Sequence, residues 1–258
     1  MGNIPETRIY GKNVDIDSNA VKNLYSARSE KNGDRPVDAP TVLSSDTNIE
    51  NIELWTKEEL ERWFPQFALD NESIVLEIGF GTGRMTRYIT PKAGEYVGID
   101  YVKEFVDTVK KREDIVKKEN TVFLHMPLEQ FAAENHSRYS KRFNRLFLSG
   151  GVFMYMNDCT LKECMAHLAD MLQESCVMYI SEPVAVEERL TLNAFYSETI
   201  QDNYSAIYRT VDEYRELFSP FLNQGFALDV CQEFFENDIK KMKETKQWIF
   251  ILKRTKRG

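Results

Sequence analysis

From about residue 73 onward, short unbroken apolar runs alternate with stretches whose apolar residues recur every three or four positions. Val75, Leu76 and Ile78, and then Tyr96, Val97 and Ile99, belong to the first kind and read as buried strands. The second kind predicts helices over 84–89, 102–117, 128–135 and 161–173, and in the last of these Leu161, Met165, Leu168 and Leu172 form one stripe. A fifth strand is predicted at 176–180 and a closing pair at 226–234 and 247–253. Strand alternating with helix is the pattern of a parallel sheet covered on both faces.

Two stretches stand outside this alternation. In residues 1–69, Val21, Leu24 and Tyr25 stripe one short helix, while Trp55, Leu60, Trp63 and Phe64 populate another. The glycine and prolines of 32–40 mark an irregular loop between them. The second stretch, about 183–210, concentrates Arg189, Tyr196, Tyr204, Tyr208 and Arg209, a composition suited to a lid over a small polar ligand. The expected organisation is a helical cap over 1–69 and a core over 70–258 that carries this insertion.

The chemistry concentrates in residues 75–84, Val-Leu-Glu-Ile-Gly-Phe-Gly-Thr-Gly-Arg, where a strand delivers a carboxylate and then three alternate glycines. Glycine permits both a tight strand-to-helix turn and close approach of a ligand to the backbone. A second acid, Asp100, ends the next strand at about the spacing at which nucleotide-binding folds place their ribose ligand. Glu77 beside the glycines disfavours a pyrophosphate and favours an ammonium, and Asp100 suits a vicinal diol. S-adenosylmethionine has both groups and no phosphate.

On these residues the chain resembles the class I S-adenosylmethionine-dependent methyltransferases of the small-molecule-modifying type: Glu77, Gly79, Gly81 and Gly83 match the first motif and Asp100 the second. The likeness runs over about residues 70–255, with 124–128 where the family places adenine contacts and 147–152 reading as strand four and its exit. It implies a Rossmann-like, seven-stranded, mostly parallel sheet with an antiparallel last strand and helices on both faces. It also implies S-adenosylmethionine as donor and S-adenosylhomocysteine as product. The implied cofactor residues are Tyr25, Arg28, Glu77, Gly79, Gly81, Gly83, Asp100, Tyr101, Met126, Pro127, Leu128 and Ser149. Among them, the Tyr25–Arg28 segment is similar to one that closes over the cofactor in many members.

Charge and cysteine usage narrow the partners. A net charge of −8 argues against broad capture of nucleic acid, which relies on lysine and arginine displacing counterions. The four cysteines have no C-x-x-C spacing and read as reduced thiols, the first three in or beside core segments. No apolar stretch approaches the length needed to cross a bilayer, so a cytoplasmic monomer or homodimer without membrane contact is expected.

In an open parallel sheet the acceptor should meet the exits of strands four and five. Tyr155 follows one and Glu182 ends the other, and His125 ends strand three; these three are the catalytic candidates. Glu182 either faces the acceptor or pairs with an arginine such as Arg189, and His125 is either a base or a cofactor-side packing residue. Acceptor binding is expected from Tyr155, Glu182, Arg189, Tyr196, Tyr208 and Arg209, with Arg35 and Arg28 adding positive charge for a phosphate or carboxylate. Strand four is followed by neither an N-P-P-Y run nor a Pro-Cys pair, and no paired aspartates stand where the catechol type ligates magnesium, so metal-independent chemistry is expected.

The expected reaction is methyl transfer to oxygen or nitrogen of a small polar metabolite, sugar-like or phosphorylated. Two alternatives stand beside it. One is methylation of a protein or peptide terminus or side chain in an acidic cleft of Glu182, Glu187 and Glu188. The other is a non-catalytic cofactor-binding scaffold.

Overall fold

The structure, a computed structural model, describes residues 7–30, 49–198, 200–235 and 243–255. The predicted loop at 32–40, including Arg35, lies outside the described residues. The described residues form ten strands: β1 (Arg8–Tyr10), β2 (Ile74–Ile78), β3 (Glu95–Asp100), β4 (Thr121–His125), β5 (Phe143–Ser149), β6 (Leu172–Ala185), β7 (Leu190–Ser197), β8 (Asp202–Tyr208), β9 (Ala227–Glu233) and β10 (Thr245–Arg254). Eight α-helices accompany them: α1 (Ser18–Glu30), α2 (Ile49–Glu58), α3 (Thr86–Ile89), α4 (Lys103–Lys111), α5 (Leu128–Asn135), α6 (Asp158–Met171), α7 (Val211–Leu217) and α8 (Ser219–Asn223).

Seven strands form the main sheet in the order β4-β3-β2-β5-β6-β10-β9. β2 to β6 are parallel, and β10 runs antiparallel to both β6 and β9. The order reverses at β2, the first strand laid down, which opens a crevice between the carboxyl ends of β3 and β5. Alternate residues point to opposite faces of a strand. Leu76, Ile78, Leu146 and Leu148 join a core with α5, α6, α7 and α8, while Val75, Tyr96, Phe147 and Tyr179 join a second core with α1, α2, α3 and α4.

Three elements depart from the sequence pattern. β6 extends far beyond the predicted 176–180, because β10 pairs with it residue by residue from Cys176 to Ala185 and supplies partners for its polar half. Helix α4 stops at Lys111 rather than 117: Arg112 turns extended and sends its guanidinium back to the Thr82 carbonyl, 2.8 Å away in the glycine turn. The cap is not wholly helical. β1 pairs with β7 and β7 with β8, so the start of the chain and the insertion make one three-stranded antiparallel sheet. A three-residue strand has no partner near it in sequence and exists only because β7 offers an edge.

Around Trp63 the polypeptide passes through a wide turn at Glu59–Trp63 and a tight one at Phe64–Phe67, which bury Trp63, Phe64 and Phe67 under the sheet. Among the cysteines, Cys164 and Cys176 are buried, Cys231 is half-buried, and Cys159 is exposed rather than part of the core. No helix among the described residues is long and apolar enough to cross a membrane.

Candidate active site

A cavity of about 370 Å³ opens at the crevice where the strand order reverses. Gly79 and Gly81 form its floor with φ of +69° and +55°, a region that glycine enters without strain. At Gly79 a Cβ would lie 2.4 Å from Val152 Cγ2, so the close approach of this loop to the exit of β5 requires glycine. Asp100 and Tyr101 at the end of β3 and Met126 to Glu129 after β4 make one wall; Gly151, Val152, Tyr155, Met156, Asn157 and Thr160 make the other. Helix α1 spans both, presenting Ser18, Val21, Lys22 and Tyr25 from a single face.

Asp100 is 5 % exposed, and its carboxylate is oriented by two backbone donors: Gly81 N–H to Oδ2 at 2.8 Å and Val102 N–H to Oδ1 at 2.9 Å. Each oxygen keeps acceptor capacity for a further donor. Burial pushes its pKa up to about 6, against the pull of those backbone donors. Tyr101 beside it carries a buried hydroxyl with no protein partner. An oriented carboxylate and an orphaned hydroxyl in one wall are what a ligand bearing hydroxyl and amine groups would complete.

Glu77 is placed differently from the expectation. It lies on the face of β2 away from the cavity, where Oε2 accepts hydrogen bonds from Tyr96 Oη at 2.6 Å and Thr86 Oγ1 at 3.0 Å. Tyr96 reaches it by lying over Gly98, whose missing Cβ would otherwise sit 2.5 Å from the phenol oxygen. Burial raises the Glu77 pKa to about 7. The carboxylate therefore ties β2, β3 and α3 together beneath the glycine turn and does not line the cavity.

On the β5 side, tyrosine hydroxyls from three elements meet. Tyr25 of α1 lies 2.6 Å from Tyr155, Tyr155 lies 3.0 Å from Tyr204, and Tyr204 lies 3.4 Å from Tyr208, both of β8. Asn157 grips the backbone of Ile16, accepting its N–H at 2.9 Å and donating to its carbonyl at 3.0 Å, which pins the segment entering α1 over this wall.

A sequence profile described as a methyltransferase domain matches residues 75–175. Residues 75–175 are a methyltransferase domain, and the fold is that of the class I S-adenosylmethionine-dependent methyltransferases. Among solved structures, phosphoethanolamine N-methyltransferase 1 of Haemonchus contortus is similar at a TM-score of 0.68 and 14% identity, over 94% of this chain and 50% of that one. The 1,6-didemethyltoxoflavin-N1-methyltransferase of Burkholderia thailandensis gives 0.59 at 13% identity over 99% of both chains. A Leishmania major S-adenosylmethionine-dependent methyltransferase gives 0.58 at 13% identity over 88% of this chain and 82% of that one. At such identities the likeness is one of fold. No curated protein matches the sequence.

Of the residues that sequence reasoning put forward for the methyltransferase site, the structure brings Tyr25, Gly79, Gly81, Asp100, Tyr101, Met126, Pro127, Leu128 and Tyr155 to the cavity. Glu77 and Gly83 lie beneath it, Gly83 with φ +88° packed toward Ile115. Arg28 sits in the last turn of α1, beyond the lining residues. Ser149 is corrected: its hydroxyl donates to Glu59 at 2.6 Å and accepts from Arg84 at 3.0 Å, on the far face of β5.

The catalytic and acceptor residues are corrected more heavily. His125 is exposed, and its Nε2 bonds the Tyr101 carbonyl at 3.2 Å instead of facing the cavity. Glu182 is fully buried and faces neither acceptor nor arginine as its hydrogen-bond partner; it accepts from the N–H groups of Val152 at 2.6 Å and Phe153 at 2.8 Å and from Tyr214 Oη at 3.2 Å. Burial raises its pKa to about 7. Arg189 pairs with Glu213 and Asp158, and Arg209, 1 % exposed, with Asp158 and the carbonyls of Phe153 and Met156, so both are structural cations. Tyr196 is 59 % exposed on β7, and Tyr208 stands at the outer end of the hydroxyl chain rather than in the cavity wall.

Lining residues that sequence reasoning missed include Ser18, Lys22, Met156, Asn157 and Thr160. The signal for the first two was present, since Ser18, Lys22 and Tyr25 fall at helical spacing on one face. Met156, Asn157 and Thr160 carried no such signal, because only the turn at Phe153–Tyr155 aims them.

Proposed function

We propose that the cavity binds S-adenosylmethionine and that the domain transfers its methyl group to oxygen or nitrogen of a small polar metabolite, sugar-like or phosphorylated. The observation that carries the reading is Asp100, a carboxylate held by two backbone N–H groups in the cavity wall with lone pairs left for the hydroxyls of a ribose. Tyr101 offers a further hydroxyl, and Met126, Pro127 and Leu128 offer an apolar slot for a base. The donor would supply an electrophilic methyl on a sulfonium. The chain's own contribution is alignment and exclusion of water, with the glycine floor drawn tight against Val152.

A small acceptor accords with the cavity, whose volume is near the lower end of the roughly 300–1,000 Å³ usual for ligand sites. It accords also with the fold relatives named for phosphoethanolamine and didemethyltoxoflavin. Residues 1–69 and the insertion at about 183–210 act together as the acceptor-selecting cap on a core of 70–258. The peptide reading is less well supported, since Glu182 is consumed by backbone donors and Glu187 and Glu188 point to solvent.

Calorimetry with S-adenosylhomocysteine tests the donor site. The unmodified protein should bind, and Asp100→Ala should weaken binding by a factor on the order of ten to a hundred, the worth of hydrogen bonds to a charged group. Equal affinity in the two proteins would remove Asp100 from the ribose. Labelled methyl donor incubated with a metabolite extract should then give a labelled small molecule identifiable by mass.

A further inference from the structure

The sheet order separates the two chemistries of the cavity. Asp100 and Glu129, the carboxylates in its wall, follow β3 and β4 on one side of β2, whereas Tyr155 follows β5 on the other. On that second side the groups that could carry charge are engaged elsewhere: Glu182 by backbone donors, Arg189 and Arg209 by Asp158. What faces the cavity there is uncharged: Tyr25 and Tyr155, with their hydroxyls in contact, beside Asn157 and Thr160. Behind them the hydroxyl line continues through Tyr204 to Tyr208, and Tyr208 is only half-buried at the end of β8.

An amine would arrive as an ammonium with no lone pair free and would need a carboxylate or imidazole to take its proton. A phosphate or carboxylate is best held by paired cations, and among the described residues the cavity wall offers one, Lys22 of α1. A hydroxyl needs neither, because a phenol both donates to it and accepts from it. We infer that the acceptor is a hydroxyl compound docked against Tyr25 and Tyr155 and methylated at oxygen, and that its proton leaves through Tyr204 and Tyr208 to water. This rests on the donor reading above and decides between the oxygen and nitrogen that it leaves open.

The step balances. The acceptor oxygen forms its bond to the methyl carbon as the carbon–sulfur bond breaks and leaves its electron pair on sulfur. The acceptor's proton passes to Tyr25 or Tyr155 as that phenol hands its own proton outward, and each later phenol does the same until one proton reaches solvent. Burial holds Tyr155 and Tyr204 well above the usual phenol range and Tyr208 up to about 12, so all three remain neutral hydroxyls able to relay in this way.

The test uses protein saturated with S-adenosylhomocysteine, titrated calorimetrically with two sets of probes. One set contains hexoses, polyols and simple phenols; the other contains alkylamines, polyamines and amino acids without side-chain hydroxyls. Binding should appear in the hydroxyl set, and labelled donor should convert the bound compound to an alkali-stable methyl ether. Neither Tyr204 nor Tyr208 lines the cavity, so Tyr204→Phe and Tyr208→Phe should leave both binding constants in place while lowering kcat by about tenfold, a modest share of what a direct base supplies. Binding and transfer confined to amines, or both variants turning over at the unmodified rate, would overturn the proposal while leaving the donor reading intact. Failure to bind S-adenosylhomocysteine at all would overturn both.

Discussion

At the scale of single residues, the site is governed by where a side chain points rather than by its identity. Glu77 shows this: an acid beside a glycine turn was legible, but its direction depends on Tyr96 reaching across Gly98, two positions that look like ordinary strand in the sequence. Asp100 sits where its spacing predicted because a strand end fixes its exit direction. Gly79 permits a sharp prediction. With φ at +69° and Val152 Cγ2 only 2.4 Å from where an added methyl carbon would lie, Gly79→Ala combines backbone strain with steric overlap. It should lower unfolding free energy in urea by about 1–3 kcal/mol and weaken S-adenosylhomocysteine binding in calorimetry. Unaltered values for both would mean that the β2 and β5 loops do not meet as closely as described.

Among the elements, the tie between α2 and the glycine turn is electrostatic. Glu59 is fully buried just after α2, and its Oε2 lies 2.8 Å from Arg84, while Oε1 accepts from Ser149 at 2.6 Å and Tyr179 at 3.0 Å. Breaking such a pair strands a charge, whereas removing both partners need cost little. Arg84→Met should therefore destabilise the protein by about 3–5 kcal/mol, and Glu59→Leu combined with Arg84→Met should recover most of that in chemical denaturation. A double variant as unstable as the single one would show that packing, not charge, holds α2 in place. The same reasoning explains Arg189 and Arg209. Aromatic and cationic residues in the insertion were legible, but Asp158 at the start of α6 claims both arginines, and that meeting requires the fold.

For the whole molecule, buried carboxylates set the response to pH. Burial raises Glu77 and Glu182 to about 7 from the ordinary 4.5, and Asp100 to about 6 from 3.8. A raised carboxylate pKa means that the folded state holds its proton longer than the unfolded one. Its stabilising effect is complete below the unfolded value and is lost as pH climbs through the folded value. Glu77 alone corresponds to about 3 kcal/mol across that window. Asp114, held low by its hydrogen bond with Arg112, and Glu244, held low by Arg8, act oppositely and lose their contribution below about pH 4. Stability of the ligand-free protein should peak near pH 4–5 and fall toward neutrality in urea titrations, with Glu77→Gln and Glu182→Gln each flattening the decline. Stability that rises from pH 5 to 8 would contradict these assignments.

The sequence by itself determined the parallel sheet, the positions of its first strands, the glycine floor and the acid at the end of β3, because each is written in local periodicity or in a turn that a few adjacent residues enforce. Tertiary structure alone decided the rest. β1 became a strand only against β7, β6 was lengthened by β10, and Glu182, Arg189 and Arg209, expected at the acceptor, were satisfied by partners far along the chain. The tyrosine line belongs to this second class. Its members were visible singly, but hydroxyl contact between α1, the turn after β5 and β8 is a property of three elements folded together, and no spacing in one dimension encodes it.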